Sequence, residues 1–330
     1  MIKVIDPGLS TTVQDLGRFG YYHIGMPPSG SMDNFSHSVA NLLAGNDPSA
    51  ATLEMTYVGG RYAFGGDTVI AITGADMQPR LNGQEIPMWA SVGVKSGDVL
   101  DFGILKSGAR SYLAIAGGIQ VPLVMGSRST YALCQIGGLE GRTLAKGDEV
   151  PTMRFKSANG RGSFLGRRIP SELVPKYSTT SELRMVVGLF SYRIEPSSLD
   201  EFFKETWVVT PEANRVGYRH RGIRLRFVDR IQPFGAGSNP SNVVDSGYPI
   251  GSVQVPDGAE PIVVLKDAIT GGGYATIGTV ISVDLDIVGQ TRTNSVTHFL
   301  RISLEEALNA RHGYKRRLAK VRAAIEEGAL

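Results

Sequence analysis

The sequence predicts a mainly β protein of barrel or sandwich type. Short runs rich in β-branched and aromatic residues recur along it: DTVIAIT, SVGV, DVLDF, SYLAIAGGI, LRMVVG, ETWVVT, GIRLRFV, PIVVLK and TVISVDLDIV. Gly, Pro, Asp and Asn turns separate these runs at about ten-residue spacing, which suits barrels and sandwiches rather than alternating βαβ units. The 41 glycines fit frequent tight turns and bulges.

Two stretches follow a helical period instead. From Asp33 to Ala44 the side chains of Phe35, Val39, Leu42 and Leu43 share a face, Ser31 or Asp33 caps the start and Gly45 closes the end. The second runs from Ser303 to about Glu327, opens on a Ser303/Glu306 capping box and carries Leu304, Ala307, Leu308, Leu318, Val321 and Ile325. Gly313 is a candidate interruption. The basic cluster Lys315, Arg316, Arg317, Lys320 and Arg322 reads first as a solvated helix face.

At 330 residues the chain is long for one core. The strand pattern lapses in RFKSANGRGSFLGRRIPSELVPKYSTTS, so the expected organisation is an N-terminal β subdomain at 1–152, a linker at 153–181, a C-terminal β subdomain at 182–302 and a terminal helix at 303–330. Hydrophobic residues at 42% and charged residues at 20% are those of a soluble globular protein. No apolar run reaches the roughly 20 residues of a membrane span, and MIKVIDPG lacks a secretory pattern, so the expected location is cytoplasmic.

A net charge of +3 does not demand nucleic acid as a partner. The lone Cys134 forms no internal disulfide and reads as a buried, inert thiol on a strand entering a Gly turn. The five histidines show no metal-ligand spacing, and no metal is expected. Phosphate-loop, dinucleotide, nucleophile-elbow and H-E-x-x-H signatures are missing.

What remains is a set of Gly-rich turns flanked by charge. The stretch from Thr11 to Glu54 places Asp15, Arg18, Ser29 and Asp33 among Gly17, Gly20, Gly25, Pro27, Pro28 and Gly30, the composition of a loop that presents polar groups. Glu54, inside an apolar run, either meets an arginine or faces a site. Arg128 in GSRST clamps a carboxylate or pairs with a loop acid. Asn214 and Arg215 in NRVGYRHRG contact a ligand or guard a strand edge. In LKDAITGGGY, Lys266, Asp267 and Tyr274 supply a cation, a carboxylate and a phenol, and Gly271 to Gly273 are read as a turn able to take positive φ. An ordinary β-turn with flanking charges explains that stretch equally well.

The words TTVQDLGR, GMPPSGSMD, ANLLAGN, TGAD and AGG in the first half, with NRVGYR, GSVQVP, PIVVLKD, TGGGY and VIS in the second, resemble the allophanate hydrolase subunit 2 (AHS2) family. That family includes a 5-oxoprolinase subunit and the carboxyltransferase portion of urea carboxylase. The resemblance implies two related cyclophilin-like β-barrel subdomains with a few helices, acting with a sister subunit of the AHS1 type. GSNPSNVVDSGYPIG looks like the urea carboxylase pattern, whereas VQVP followed by TGGGY looks like the 5-oxoprolinase pattern.

The resemblance thus implies a subunit, active in a complex, that carries out biotin-dependent carboxyl transfer to a urea-like or amide substrate. Carboxybiotin would come from a partner carrier, with biotin carboxylase and ATP used by the complex. The alternatives are ATP-dependent hydrolysis of 5-oxoproline to glutamate and non-catalytic antagonism of a kinase-inhibitor protein. Both enzymatic reactions act on an amide or ureido group through oxyanionic transition states, which need cationic or N–H donors. Lys266, Asp267, Tyr274 and Arg128 are therefore the expected catalytic residues. Asp15, Arg18, Ser29, Asp33, Glu54, Asn214, Arg215, Gln254, Gly272 and Gly273 are the expected substrate contacts.

Overall fold

The computed structural model describes residues 1–153 and 165–327. Residues 154–164, inside the expected linker, lie outside the described residues. The chain is mainly β and divides into two units, one of Met1–Arg18, Ser29–Tyr177 and Lys315–Leu330, the other of Phe19–Pro28 and Ser178–Tyr314.

The first unit holds two antiparallel sheets. One runs in the order Glu149–Val150, Ile2–Asp6, Arg61–Phe64, Val99–Asp101, Arg80–Leu81, Gln84–Glu85, the other Thr11–Gln14, Thr52–Thr56, Ser107–Ile115, Thr68–Asp76, Ser91–Val94. Val4, Tyr62, Phe64 and Leu100 from the first sheet meet Val13, Leu53, Ile72 and Leu113 from the second in one core. Strands Thr68–Asp76 and Ser107–Ile115 are buried almost throughout, without the alternation of a half-exposed strand. The reason is helix α1, Asn34–Leu43, which contacts both of them. The Asp33 carboxylate accepts from Ser36 N at 2.9 Å, and Gly45 follows the helix at φ 76°.

The second unit is built on a closed barrel of seven strands, in the order Thr180–Val187, Thr276–Val280, Ser252–Gln254, Ile262–Val264, Gly217–Arg221, Trp207–Val209, Val296–Arg301. The first and last strands pair in parallel and close the ring, which removes the free edges that invite aggregation. Helix α2, Pro196–Lys204, sends Phe202 against Trp207 and Phe299, with ring centroids 5.1 and 4.9 Å apart. A separate two-stranded ribbon pairs Asn242–Gly247 with Gly271–Tyr274.

Several local readings change. TVISVDLDIV enters as a strand ending at Val280 but finishes as helix α3, Leu285–Gln290, because Asp284 is held by Arg184 through Nε, Nη2 and the backbone N at 3.0, 2.6 and 2.8 Å. GIRLRFV forms no strand; within it only Phe227 makes an isolated bridge, to Ile194. Gly313 does not interrupt the last helix, α4, continuous from Leu304 to Glu327, where Ser303 and Glu306 make both bonds of the capping box at 2.8 and 3.2 Å. Cys134 is exposed at the end of a 3-10 turn, Ala132–Cys134, rather than buried in a strand. Among the described residues no helix is long and apolar enough to cross a membrane.

Candidate functional site

In the second unit the NRVG and LKD words lie 52 residues apart and meet through antiparallel pairing, with Gly217 opposite Val264. Just beyond that register Leu265 N donates to Val216 O at 2.9 Å and Asp267 N to Arg215 O at 3.0 Å. The Asn214 Oδ1 accepts from Val216 N at 2.8 Å, an Asx turn that starts the strand. Arg215 then grips Asp267 with two bonds, Nε to Oδ2 at 2.7 Å and Nη2 to Oδ1 at 3.1 Å. Lys266, between the strand and this ion pair, is only 5% exposed. An ammonium group is costly to take from water, which marks the position as a candidate site rather than a surface lysine.

Tyr248 ties the Gly-rich ribbon to this cluster. Its ring packs with Val264 and Ala268, on either side of Lys266–Asp267. Its hydroxyl accepts from Tyr274 N at 2.6 Å and donates to Tyr274 O at 2.8 Å, occupying both backbone groups of one residue. Burial raises the phenol's pKa, opposed by its bonds to the Tyr274 backbone and the Gln254 side chain. Gly271 to Gly273 do not form the expected positive-φ turn; they are extended residues of a strand. Glycine is needed at 272 for room, since a Cβ there would lie 2.9 Å from Tyr248 Cε2. The Tyr274 side chain is 43% exposed.

Beside Tyr248 lies a cavity of about 460 Å³ walled by Tyr22, Gly247, Tyr248, Pro249, Ile250 and Thr270, all of the second unit. Tyr22 comes from a 3-10 turn, Tyr22–Ile24, and hydrogen-bonds the Ile250 backbone.

The first unit holds two further groups of expected site residues. The Asp15 carboxylate accepts from Ser127 Oγ, Ser129 Oγ, Arg128 N and Gly17 N at 2.7, 2.5, 2.6 and 2.8 Å. It thereby shapes the GSRST loop, and Arg18 donates to Ser129 O in the same loop. Arg128 Nε donates to Val121 O at 3.0 Å and Nη2 approaches Gln120 Oε1 at 3.4 Å. Ser29 is fully buried at φ 53°, and Gly30 beside it has no room for a Cβ, which would fall 2.8 Å from Gly17 N.

The other group surrounds Glu54, whose Oε2 accepts from Met32 N and Tyr112 Oη, both at 2.8 Å, while Oε1 faces Arg110 Nε at 3.8 Å. Tyr112 in turn accepts from Asp33 N at 2.8 Å, and burial, with the charges of Glu54 and Asp33, pushes its phenol well above the ordinary value. Glu54 thus meets an arginine, one of the two arrangements expected of it. Arg110, Tyr112, Tyr22 and Tyr248 escaped the sequence reading; only Tyr248 had a local signal, as the Tyr-Pro of DSGYPIG. Among the described residues no group of three or more His, Cys, Asp or Glu is arranged to hold a metal.

Comparison with known proteins gives the chain's family. The chain is 38% identical to the urea amidolyase of Saccharomyces cerevisiae over 311 residues, covering 93% of this chain but 17% of that protein. It is 36% identical to a 5-oxoprolinase subunit of Escherichia coli over 317 residues, 96% of each chain. The solved Kluyveromyces lactis urea carboxylase superposes with a TM-score of 0.91 at 32% identity, over 100% of this chain and 29% of that one. A family model described as carboxyltransferase domain, subdomain A and B, matches residues 24–301, and the chain belongs to that carboxyltransferase domain family.

Proposed function

We propose that this chain is the carboxyltransferase-type subunit of a cytoplasmic, ATP-consuming, biotin-dependent assembly that carboxylates a nitrogen of a urea-like or amide substrate, working with an AHS1-type sister subunit. The observation that carries the reading is Lys266, a lysine only 5% exposed that directly precedes Asp267 of the Arg215–Asp267 pair, in a chain matched by a carboxyltransferase family over 24–301. The walls of the Tyr22/Tyr248 cavity, two aromatic rings with Pro249 and Ile250, fit a compact ring such as that of biotin. A biotin carrier supplies the activated carboxyl group when bound.

The chain's own residues then divide the work. Lys266 stabilises negative charge developing on an oxygen of the reacting group, which a low-dielectric setting strengthens. Asp267, held by Nε and Nη2 of Arg215, fixes that guanidinium at the site. The exposed Tyr274 phenol hydrogen-bonds the acceptor nitrogen. In the first unit, Arg128 is the candidate cation for an anionic group, set on a loop that Asp15 shapes. Asn214, Gln254, Gly272 and Gly273 hold the second-unit site in place, and Arg18, Ser29, Asp33 and Glu54 support the first-unit loops.

A second reading, ATP-dependent opening of 5-oxoproline, is favoured by the 96% mutual coverage with the Escherichia coli 5-oxoprolinase subunit. The test is ATP turnover by this chain mixed with its sister subunit, comparing 5-oxoproline with urea and simple amides, with and without biotinylated carrier and carboxylase. Carrier-dependent carboxylation is the expected result. Glutamate formed from 5-oxoproline without biotin overturns it in favour of the second reading, and silence in every mixture moves weight to a regulatory subunit that sequesters a kinase-inhibitor protein.

A further inference from the structure

Arg193 ends a 3-10 turn of the second unit, Ser191–Arg193, and is only 3% exposed. Its Nη1 donates to Asn242 O and its guanidinium stands 5.7 Å over the Phe190 ring, yet Nε meets no acceptor. Among the described residues no carboxylate pairs with it. Glu195, two positions on, is bound to Arg226 at 2.9 Å, and the exposed Asp229 makes no ion pair. Val228 N donates to Arg193 O at 2.8 Å, which brings Arg230, two residues further along, to the same turn. Arg230 is also without an ion pair among the described residues; its Nη1 reaches Tyr192 Oη at 3.4 Å and its guanidinium lies 5.6 Å over the Tyr192 ring. Tyr192 is 64% exposed, and hydrogen bonds from Arg230 and Arg193 lower the pKa of its phenol. A guanidinium keeps its charge, and burying one without a counter-ion is costly. Two of them share this phenol oxygen, and a backbone carbonyl with two ring faces offsets that cost only in part.

We infer that Arg193, Arg230 and the Tyr192 hydroxyl form a binding site for a phosphate group. The second negative charge of a phosphate balances the second guanidinium, which a carboxylate leaves unmatched. Its tetrahedral oxygens accept from two arginine forks at once. Because the phenol oxygen already accepts from the arginines, its proton is left to donate to the bound anion. Arg193 is the buried anchor, and Arg230 with Tyr192 forms the accessible side of the site. The group comes either as free phosphate or as the terminal phosphate of a nucleotide, and the site stands whether or not biotin takes part in the reaction.

The test is calorimetry and phosphorus NMR on the full chain with inorganic phosphate, ADP and acetate at constant ionic strength. Phosphate is expected to saturate one site with a Kd no weaker than about 1 mM in about 0.15 M salt. Acetate should bind at least tenfold more weakly. Arg193→Gln should abolish phosphate binding, Arg230→Gln weaken it at least tenfold, and Tyr192→Phe weaken it about threefold, the share of one hydrogen bond. Arg193 is buried, so where Arg193→Gln fails to fold, the variants of Arg230 and Tyr192 on the accessible side carry the test. No saturable phosphate binding, equal binding by folded Arg230→Gln, or acetate bound as tightly as phosphate overturns the inference. With phosphate bound as expected, ADP held at least tenfold more tightly identifies a nucleotide as the source of the group, whereas equal or weaker ADP binding identifies free phosphate.

Discussion

Asp267 receives both Nε and Nη2 of Arg215, at 2.7 and 3.1 Å, with the two side chains 7% and 17% exposed. Such a bidentate pair fixes direction as well as charge, and removing one partner leaves the other's charge poorly compensated. Asp267→Asn is expected to destabilise the protein by about 3 kcal/mol in chemical denaturation. Arg215→Lys, which keeps charge but not the fork, should lower kcat of the reconstituted assembly more than it raises KM. Equal stability of Asp267→Asn and the parent would show that the pair is dispensable.

Gly272 is extended, so its role is steric. Gly272→Ala puts a Cβ 2.9 Å from Tyr248 Cε2 and is expected to cost about 1–3 kcal/mol, as overpacking does. Tyr248→Leu in the same chain should recover part of that loss, and additivity of the two changes in a double-mutant cycle would disprove the contact.

In the first unit, Glu54→Gln removes the charge that faces Arg110 while keeping the shape of the side chain. Both residues are almost fully buried, at 1% and 3% exposure, and a loss of about 3 kcal/mol is expected by the same reasoning. Thermal melting of the variant at fixed salt measures it; an unchanged midpoint would mean that the arginine needs no counter-charge from Glu54.

Asp15 gathers four donors, so Asp15→Asn replaces an acceptor by a donor at one carboxylate oxygen and sets it either against two serine hydroxyls and the Gly17 N–H or against the Arg128 N–H. Hydrogen exchange of residues 127–130 is expected to quicken by at least tenfold, a change of about 1.4 kcal/mol in local opening. Unaltered exchange there would remove Asp15 as the organiser of the Arg128 loop.

Burial lowers the His220 imidazole from 6.5 to about 4. Between those values the unfolded chain takes up a proton that the folded chain refuses, so stability rises with pH across this window. The contribution is complete above pH 6.5 and is lost as pH falls toward 4, by about 3 kcal/mol at 1.36 kcal/mol per unit. Unfolding free energies of the parent and His220→Gln between pH 4 and 7 check it, since the variant should lack this part of the slope.

Where local patterns carry the information, the sequence was legible. Asp33 capping α1, and Ser303 with Glu306 opening α4, act within one helical turn, so adjacent residue identities suffice to place them. The runs DTVIAIT and PIVVLK mark strands for a similar reason, since β-branched runs suit a pleated surface whatever packs on it. VDLDIV misled because its apolar run is short enough to serve a strand or a helix, and the Arg184–Asp284 contact, 100 residues apart in the chain, anchors the start of α3. Gly271 to Gly273 misled because glycine permits positive φ without requiring it, and here close approach of a ring explains Gly272.

The sequence by itself determined the mainly β class, the two amphipathic helices, the family resemblance and a set of polar residues rich enough to include Lys266, Asp267 and Arg215. Only the tertiary structure decided that Arg215 locks Asp267, that Tyr248 clamps the Tyr274 backbone, that Asp15 organises the loop of Arg128, and that an uncharged cavity adjoins Tyr248. Propensity and periodicity act over a few neighbouring residues. Ion pairs, buried phenols and cavities instead arise where barrel closure and antiparallel register bring together side chains tens of residues apart, and that register is set by the whole core at once.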